Sequence, residues 1–251
     1  MRKSVIGALV AVLALAFASV AYAIGEGTAA NTQTSIAVSK VSSTGGTKKK
    51  PKQQPNIRLT IDSKTKSGTG QPATSTAIKT TLPSGWKFNT KSWPKAARCS
   101  AAKANAQQSA AACPKGSKVA GGSTLVFANG GGIKRTLSLS AYVLTDGNMG
   151  TFVSTAPGEA PAVKRMLIGK VSGGTWNVAV DKVVQEPVTG FPTGISVLDF
   201  KFSNATAKVK GKTIGIAQST GCSGGSWTFK VQNTYRDGKG TPATDKVKCK
   251  K

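Results

Sequence analysis

Apolar and polar residues alternate with a period of two through most of this chain, and that rhythm limits what it can fold into. Leu59/Ile61, Leu137/Leu139/Ala141/Val143, Trp176/Val178/Val180, Leu198/Phe200/Phe202 and Trp227/Phe229/Val231 each interleave with polar neighbours. Successive side chains of an extended strand point to opposite faces, so such a run makes a strand with one dry and one wet side. A helix would need its apolar positions three or four apart. Clusters of Gly, Pro, Asn and Asp separate the runs, and Asp146-Gly147 and Asp237-Gly238 have hairpin-turn chemistry. The pattern predicts an all-β fold over residues 56–251: an antiparallel β-sandwich, immunoglobulin-like or jelly-roll-like. One segment breaks the rhythm. Ala101 to Ala112 is alanine-rich and free of Gly and Pro, which predicts a short helix near 100–112.

The N-terminus carries a different signal. Met1-Arg2-Lys3 is a short basic region, Val5 to Val20 is an unbroken run of small apolar residues, and Ala21-Tyr22-Ala23 is a small-x-small cleavage pattern. These features together read as a signal peptide over residues 1–23, which places the mature chain outside the cell. No cysteine follows Ala23 to take a lipid, and no second apolar segment exists, so no stable membrane insertion is expected after cleavage. Residues 24–55 are polar and end in Thr47-Lys48-Lys49-Lys50-Pro51-Lys52, which reads as a solvated connector. Within them, residues 34–41 alternate like an edge strand.

Four cysteines, Cys99, Cys113, Cys222 and Cys249, suit an oxidising compartment. Three pairings exist on paper. Joining sequence neighbours is the simplest, because each bridge then encloses one local unit. There is no C-x-x-C spacing and no histidine, so neither a redox pair nor a zinc site is expected, and no cofactor is assigned.

Charge sets the class of partner. The chain has 35 Lys and Arg against 9 Asp and Glu, and between Asp62 and Asp146 there are 12 basic residues and no carboxylate. Such a field concentrates anions and is screened by salt. Outside a cell the polyanions at hand are wall polymers and acidic glycans, although the same charge also serves solubility. Sequence-specific nucleic-acid binding is not expected. Its usual exposed stacking aromatics are scarce here, and no nucleic-acid-binding motif is present.

The stretch GCSGGSW, residues 221–227, has the look of a turn that presents a nucleophile. With no histidine in the chain, every Ser-His-Asp and Cys-His arrangement is excluded. The pattern S-x-x-K starts at Ser63, Ser84, Ser92 and Ser100, about as often as composition alone produces, and its companion motifs are missing. Asp199 in VLDFKF and Asp181 in WNVAVDKVV read as solvated, outward acids, so no carboxylate pair faces one cleft. No catalytic residue is assigned. Trp176 and Trp227 share a strand face with Val and Phe and read as core. Trp86 and Trp93 lie in loop-like stretches beside Lys87, Lys91 and Lys95, where a ring among cations could meet an acidic glycan. Those five residues are the candidate ligand contacts.

Several stretches carry a resemblance in their order: KKKPKQQPNIRLTI from Lys48, LPSGWKFNTKSWPKAARCS, CPKGSKVAGGSTLVF, MLIGKVSGG and the closing TGCSGGSWTFKVQNTYRDGKGTPATDKVKCKK. Together they resemble a group of exported, functionally unassigned β-rich proteins of soil actinobacteria, over most of the chain from about Lys48. The resemblance implies an extracellular β domain with two cysteine pairs, Cys222 with Cys249 among them. It also implies that GCSGGSW is the entry to the penultimate strand, with Ser223 a turn residue. It implies no activity and no site. The expectation is a secreted, non-catalytic β-sandwich associated with the cell envelope or with anionic polymers. A carbohydrate-binding module and a histidine-free hydrolase are the alternatives.

Overall fold

Each of the five alternating runs forms a strand with its apolar members buried, Val180 lying just past a strand end. The computed structural model describes residues 26–222 and 224–250, so the leader expected at 1–23 and Ser223 lie outside the described residues. In chain order the strands are β1 (Thr32–Ser39), β2 (Lys52–Gln54), β3 (Ile57–Thr65), β4 (Ser75–Thr81), β5 (Trp86–Phe88), β6 (Lys118–Ala128), β7 (Ile133–Val143), β8 (Met149–Ser154) and β9 (Lys164–Ser172). The remainder are β10 (Thr175–Ala179), β11 (Thr193–Phe202), β12 (Thr206–Val209), β13 (Lys212–Gly215), β14 (Ala217–Ser219), β15 (Ser226–Tyr235), β16 (Gly238–Lys239) and β17 (Ala243–Lys248). Two short helices, α1 (Ala101–Ala106) and α2 (Lys182–Gln185), complete the regular structure.

The fold is all-β and antiparallel. Its main sheet has twelve strands in the order β1-β3-β11-β6-β7-β8-β9-β10-β4-β15-β16, with β17 also pairing β15. A sheet of that width has to curl to bury its apolar side. Trp176 on β10 lies 5.5 Å from Phe200 and 6.5 Å from Phe202 on β11, ring centre to ring centre, although four strands separate β10 from β11 in the sheet. The two layers of this sandwich are therefore one sheet folded over itself. Bulges between Ile195 and Val197, Lys118 and Ala120, and Thr234 and Tyr235 supply bending points. Inside, Gly169 leaves room for the Trp176 indole, since a Cβ at that position would sit 2.1 Å from Nε1.

The first strand meets the last hairpin along a seam without a backbone ladder. The Val38 N–H donates to Asp245 Oδ2 at 2.7 Å. Beside it, Asn233 Nδ2 donates to Ser63 Oγ (3.1 Å), Tyr235 Oη (3.2 Å) and Thr34 Oγ1 (3.3 Å). The small sheet β2-β14-β5 plugs one end of the rolled structure, with Trp86 edge-on to Trp227 at 4.8 Å.

Two local expectations differ from what the fold holds. Residues 34–41 do contain a strand, β1, which begins at Thr32. Part of the supposed connector is built in as well, because Lys52–Gln54 forms β2, whereas Thr47 to Lys50 are exposed as a solvated stretch would be. Gln54 is fully buried; its Oε1 accepts the Ser42 N–H at 2.9 Å and its Nε2 donates to Ser219 Oγ at 3.2 Å. A polar segment can pack where its few inward amides find partners. The helix expected to run to Ala112 stops at Ala106, Gln108 takes a left-handed φ of 46°, and Ser109 caps a single 3-10 turn over Ala110–Ala112. The disulfide Cys99–Cys113 explains the break. Its Cα atoms are 4.7 Å apart, whereas twelve helical residues would span ~18 Å, so the chain has to double back. This flap covers the outer side of β7, β8 and β9, burying Tyr142, Phe152 and Met166, and Asn105 bonds the Met166 backbone in both directions. The second disulfide, Cys222–Cys249, joins the entry of β15 to the exit of β17.

Two measurements check this architecture. Asn233→Ala strips partners from Ser63, Thr34 and Tyr235, and urea unfolding should show a loss of about 3 kcal/mol. A loss under about 1 kcal/mol would mean that the network does not hold the seam. The double change Cys99→Ala and Cys113→Ala should cost about 3 kcal/mol in the chain-entropy model while leaving the far-ultraviolet strand signal intact. Collapse of that signal would contradict a flap laid on a sheet that stands by itself.

Candidate functional site

The five contacts expected from the sequence separate by burial. Trp86 is 5 % exposed and Trp93 is 2 % exposed, while Lys87, Lys91 and Lys95 are all on the surface. Trp86 packs against Trp227 and Phe229, and the Trp93 indole N–H donates to Gly116 O at 2.9 Å. Neither ring face is free to stack on a sugar, which corrects the expectation of an aromatic platform. The stretch is rigid for another reason as well. The Arg98 guanidinium donates to the carbonyls of Lys91 (2.8 Å), Trp93 (2.8 Å) and Thr145 (3.3 Å), tying residues 91–98 to the turn between β7 and β8. Buried rings with exposed lysines describe a covered core edge.

All nine carboxylates are structurally engaged. Asp245 accepts from Val38 N–H, Asp237 from Ala29 N–H, Glu26 from Thr74 N–H, Asp146 from Asn148 N–H and Glu159 from Ala156 N–H. Asp62 pairs with Lys64 at 2.8 Å. Asp181 caps α2 through the Val183 N–H and takes Arg165 at 2.9 Å; it is not simply a solvated strand acid. Glu186 accepts from Gly190 N–H and from Arg236, each on a different oxygen. Asp199 points outward beside Lys201 as expected, yet it is also gripped by Arg58 (3.1 Å) and Thr60 (3.1 Å). Of the S-x-x-K serines, Ser63 is buried in the seam and Ser100 caps α1. Among the described residues no group of three His, Cys, Asp or Glu side chains could hold a metal ion.

With the acids committed to other work, most lysines have no carboxylate within ion-pair distance among the described residues. Strand register gathers some of these lysines. On the outer side of β17, β15, β4, β10 and β9, exposed Lys246, Lys248, Lys230, Lys79 and Lys170 share one face. Gln232, Lys79, Asn177 and Lys170 stand opposite one another across four strands. So do Thr244, Lys230, Thr81, Thr175 and Ser172 across five. The outward positions of these strands carry hydroxyl, amide or apolar side chains between the lysines, and no acid. Residue order does not reveal this arrangement. It brings Lys79 beside Asn177 and Gln232 from distant parts of the chain, and only pairing and register place them together.

Three carboxyls titrate abnormally. At Asp199 burial pushes the pKa up, but the Arg58 and Thr60 hydrogen bonds and the charges of Arg58 and Lys201 outweigh it and hold the group below the usual carboxylate range. At Asp181 burial is likewise overcome by the Val183 amide and Arg165. Glu186 is lowered chiefly by the Gly190 amide, against burial and with help from Arg236 and Lys182. A lowered folded-state pKa contributes stability that is complete above the unfolded value, about 4, and is lost as pH falls through the folded one. The urea midpoint should therefore stay level from about pH 8 to about pH 5.5, where no histidine titrates, and drop below about pH 4. A step near neutral pH would contradict this assignment.

Searches against protein-family models, curated proteins and solved structures return no match to this chain, so the functional reading rests on its own surface chemistry.

Proposed function

We propose that the protein is an exported, non-catalytic β-sandwich that holds anionic polymers of the cell envelope against the lysine face of β17, β15, β4, β10 and β9, without a cofactor. The observation that carries this reading is five exposed lysines spread over four of five adjacent strands, two on β17 and none on β10, with no carboxylate among them. Neighbouring strands lie ~4.8 Å apart, so a chain of repeated anionic groups can meet several ammonium groups at once. Each contact is weak and screened, but linking many into one polymer raises the overall affinity without any single strong site. The threonine, serine, asparagine and glutamine side chains between the lysines add hydrogen bonds to phosphate or carboxylate oxygens.

One further fact supports the extracellular setting: both cysteine pairs are bridged, which suits an oxidising compartment. The buried Trp86 and Trp93 favour charge over ring stacking as the means of holding a glycan.

Isolated bacterial cell walls provide the test. The protein should sediment with walls at low ionic strength and be released by roughly half-molar salt. Replacing Lys79, Lys170, Lys230 and Lys246 by Gln should weaken retention about tenfold. The same loss of charge at Lys103, Lys208, Lys210 and Lys212 should change it by no more than about twofold. Equal losses in the two variants would reduce the face to mere net charge. Wild-type protein that stayed in the supernatant at low salt would overturn the proposal entirely.

A further inference from the structure

The end of the roll opposite the small sheet is open, and an apolar cleft of about 260 Å³ enters there. It borders the ~300–1,000 Å³ range of small-molecule sites, and the mouths of β-barrels are a common place for them. Its rim is unusual for a charged surface. Among the described residues, Ile133, Val188 and Phe191 are 42 %, 44 % and 44 % exposed, and all three line this one cleft. Exposed apolar side chains gathered at one opening mark an interaction site, whereas scattered ones need no explanation. The rim is also held in place. The Phe191 N–H donates to Val188 O at 2.9 Å, closing a turn whose Gly190 has a φ of 82°, and Glu186 anchors that turn to Arg236 at 2.9 Å.

The floor is formed by Val126, Leu137 and Val184. All three are buried, and they also wall an interior void of about 40 Å³ between the layers. The cleft thus leads down onto the core. One charged side chain breaks the apolar lining at an informative place. Arg135 faces Val126 across the β6–β7 pair and lies two residues before the buried Leu137, at an inward strand position. It is exposed because the roll opens at that level. Its guanidinium donates to the Lys134 carbonyl at 2.9 Å, and it forms no ion pair among the described residues. Glu159, a formal negative charge, also lines the cleft; it accepts the Ala156 N–H on one oxygen and forms no ion pair with Arg135.

From this combination we infer that the cleft binds a free single-chain amphiphile with an anionic head, of which a fatty-acid carboxylate is the simplest. The chain lies against Ile133, Val188 and Phe191 with its tip toward Val126, Leu137 and Val184, and the carboxylate takes the Arg135 guanidinium. A neutral apolar molecule would fill the cleft and leave Arg135 without an anionic partner. A cationic amphiphile would meet repulsion both from Arg135 and from the field of the whole protein. The acyl chain of a membrane lipid has the same chemistry, so the experiment has to separate a free ligand from a bilayer.

Calorimetric titration of the mature chain with decanoate, decanol and decyltrimethylammonium reads both parts of the site. Decanoate should bind, decanol should bind more weakly and the cation should not bind. Phe191→Asp alters an exposed rim residue, and an unchanged urea midpoint confirms that it folds; it should weaken decanoate and decanol by at least about tenfold. Arg135→Gln should weaken decanoate about tenfold and leave decanol unchanged. The four-lysine variant of the outer face should keep decanoate binding within about twofold, so that failure of the polymer reading and failure of this one are distinguishable. Absence of decanoate binding, or binding indifferent to both Phe191→Asp and Arg135→Gln, would overturn the site. Association with phosphatidylglycerol vesicles in place of free decanoate, lost on Phe191→Asp, would also overturn it and reassign the rim to a membrane surface.

Discussion

The fold depends on closing a wide sheet whose two ends cannot form a ladder with each other. β1 pairs with β3 along one edge, and its other edge would be left as a row of unpaired backbone groups. The Asp245 carboxylate takes the Val38 amide hydrogen there, and Asn233, Ser63, Thr34 and Tyr235 form a buried polar patch beside it. At Val38 a side chain supplies a hydrogen bond that a neighbouring strand would otherwise give, and the polar patch beside it joins side chain to side chain. The same contacts hold β1, the strand that the alternation of residues 34–41 predicts, against the last hairpin.

The acids that perform this closure are few. Nine carboxylates face 35 basic residues, and each carboxylate satisfies a backbone amide, an arginine or a lysine. Asp245, Asp237 and Glu26 each tie a backbone amide to a segment remote in the chain. A carboxylate accepting a backbone N–H inside a protein is worth more than one in a surface ion pair, so scarce acid concentrates on main-chain contacts and leaves the lysines unneutralised. The closed sheet makes use of the few acids present, while the excess of basic residues keeps the surface positive wherever those acids sit.

The sequence makes one level of this structure legible. Period-two alternation picks out the inward residues of β3, β7, β10, β11 and β15, because each of those strands has one buried and one wet face. Asp146-Gly147 and the Arg236-Asp237 hairpin follow from turn chemistry, the second one residue earlier than the Asp-Gly pair suggests. Tertiary information is what the pattern lacks. Trp86 and Trp93 look exposed because their neighbours are lysines, yet flanking charge reports on neighbouring side chains and says nothing about the ring itself. The alanine run looks like one helix until the Cys99–Cys113 bridge brings its ends together. Neither the lysine face nor the cleft has a linear motif. Val126, Arg135, Val184 and Phe191 come from three separate stretches of the chain that converge only when the sheet rolls.

The two surfaces answer to the same field with different physics. The protein's net charge raises the local concentration of any anion, so added salt slows capture at both places. Once captured, the two proposed ligands would be held by unlike forces. On the flat outer face the contacts are solvated ion pairs that salt continues to weaken. In the cleft the chain leaves water, and apolar burial is indifferent or even strengthened when salting-out anions are present. On the proposed reading a polymer on the face would therefore be exchangeable, whereas a chain seated against Val126 and Leu137 would be retained by the same hydrophobic packing that holds the two layers of the sheet together.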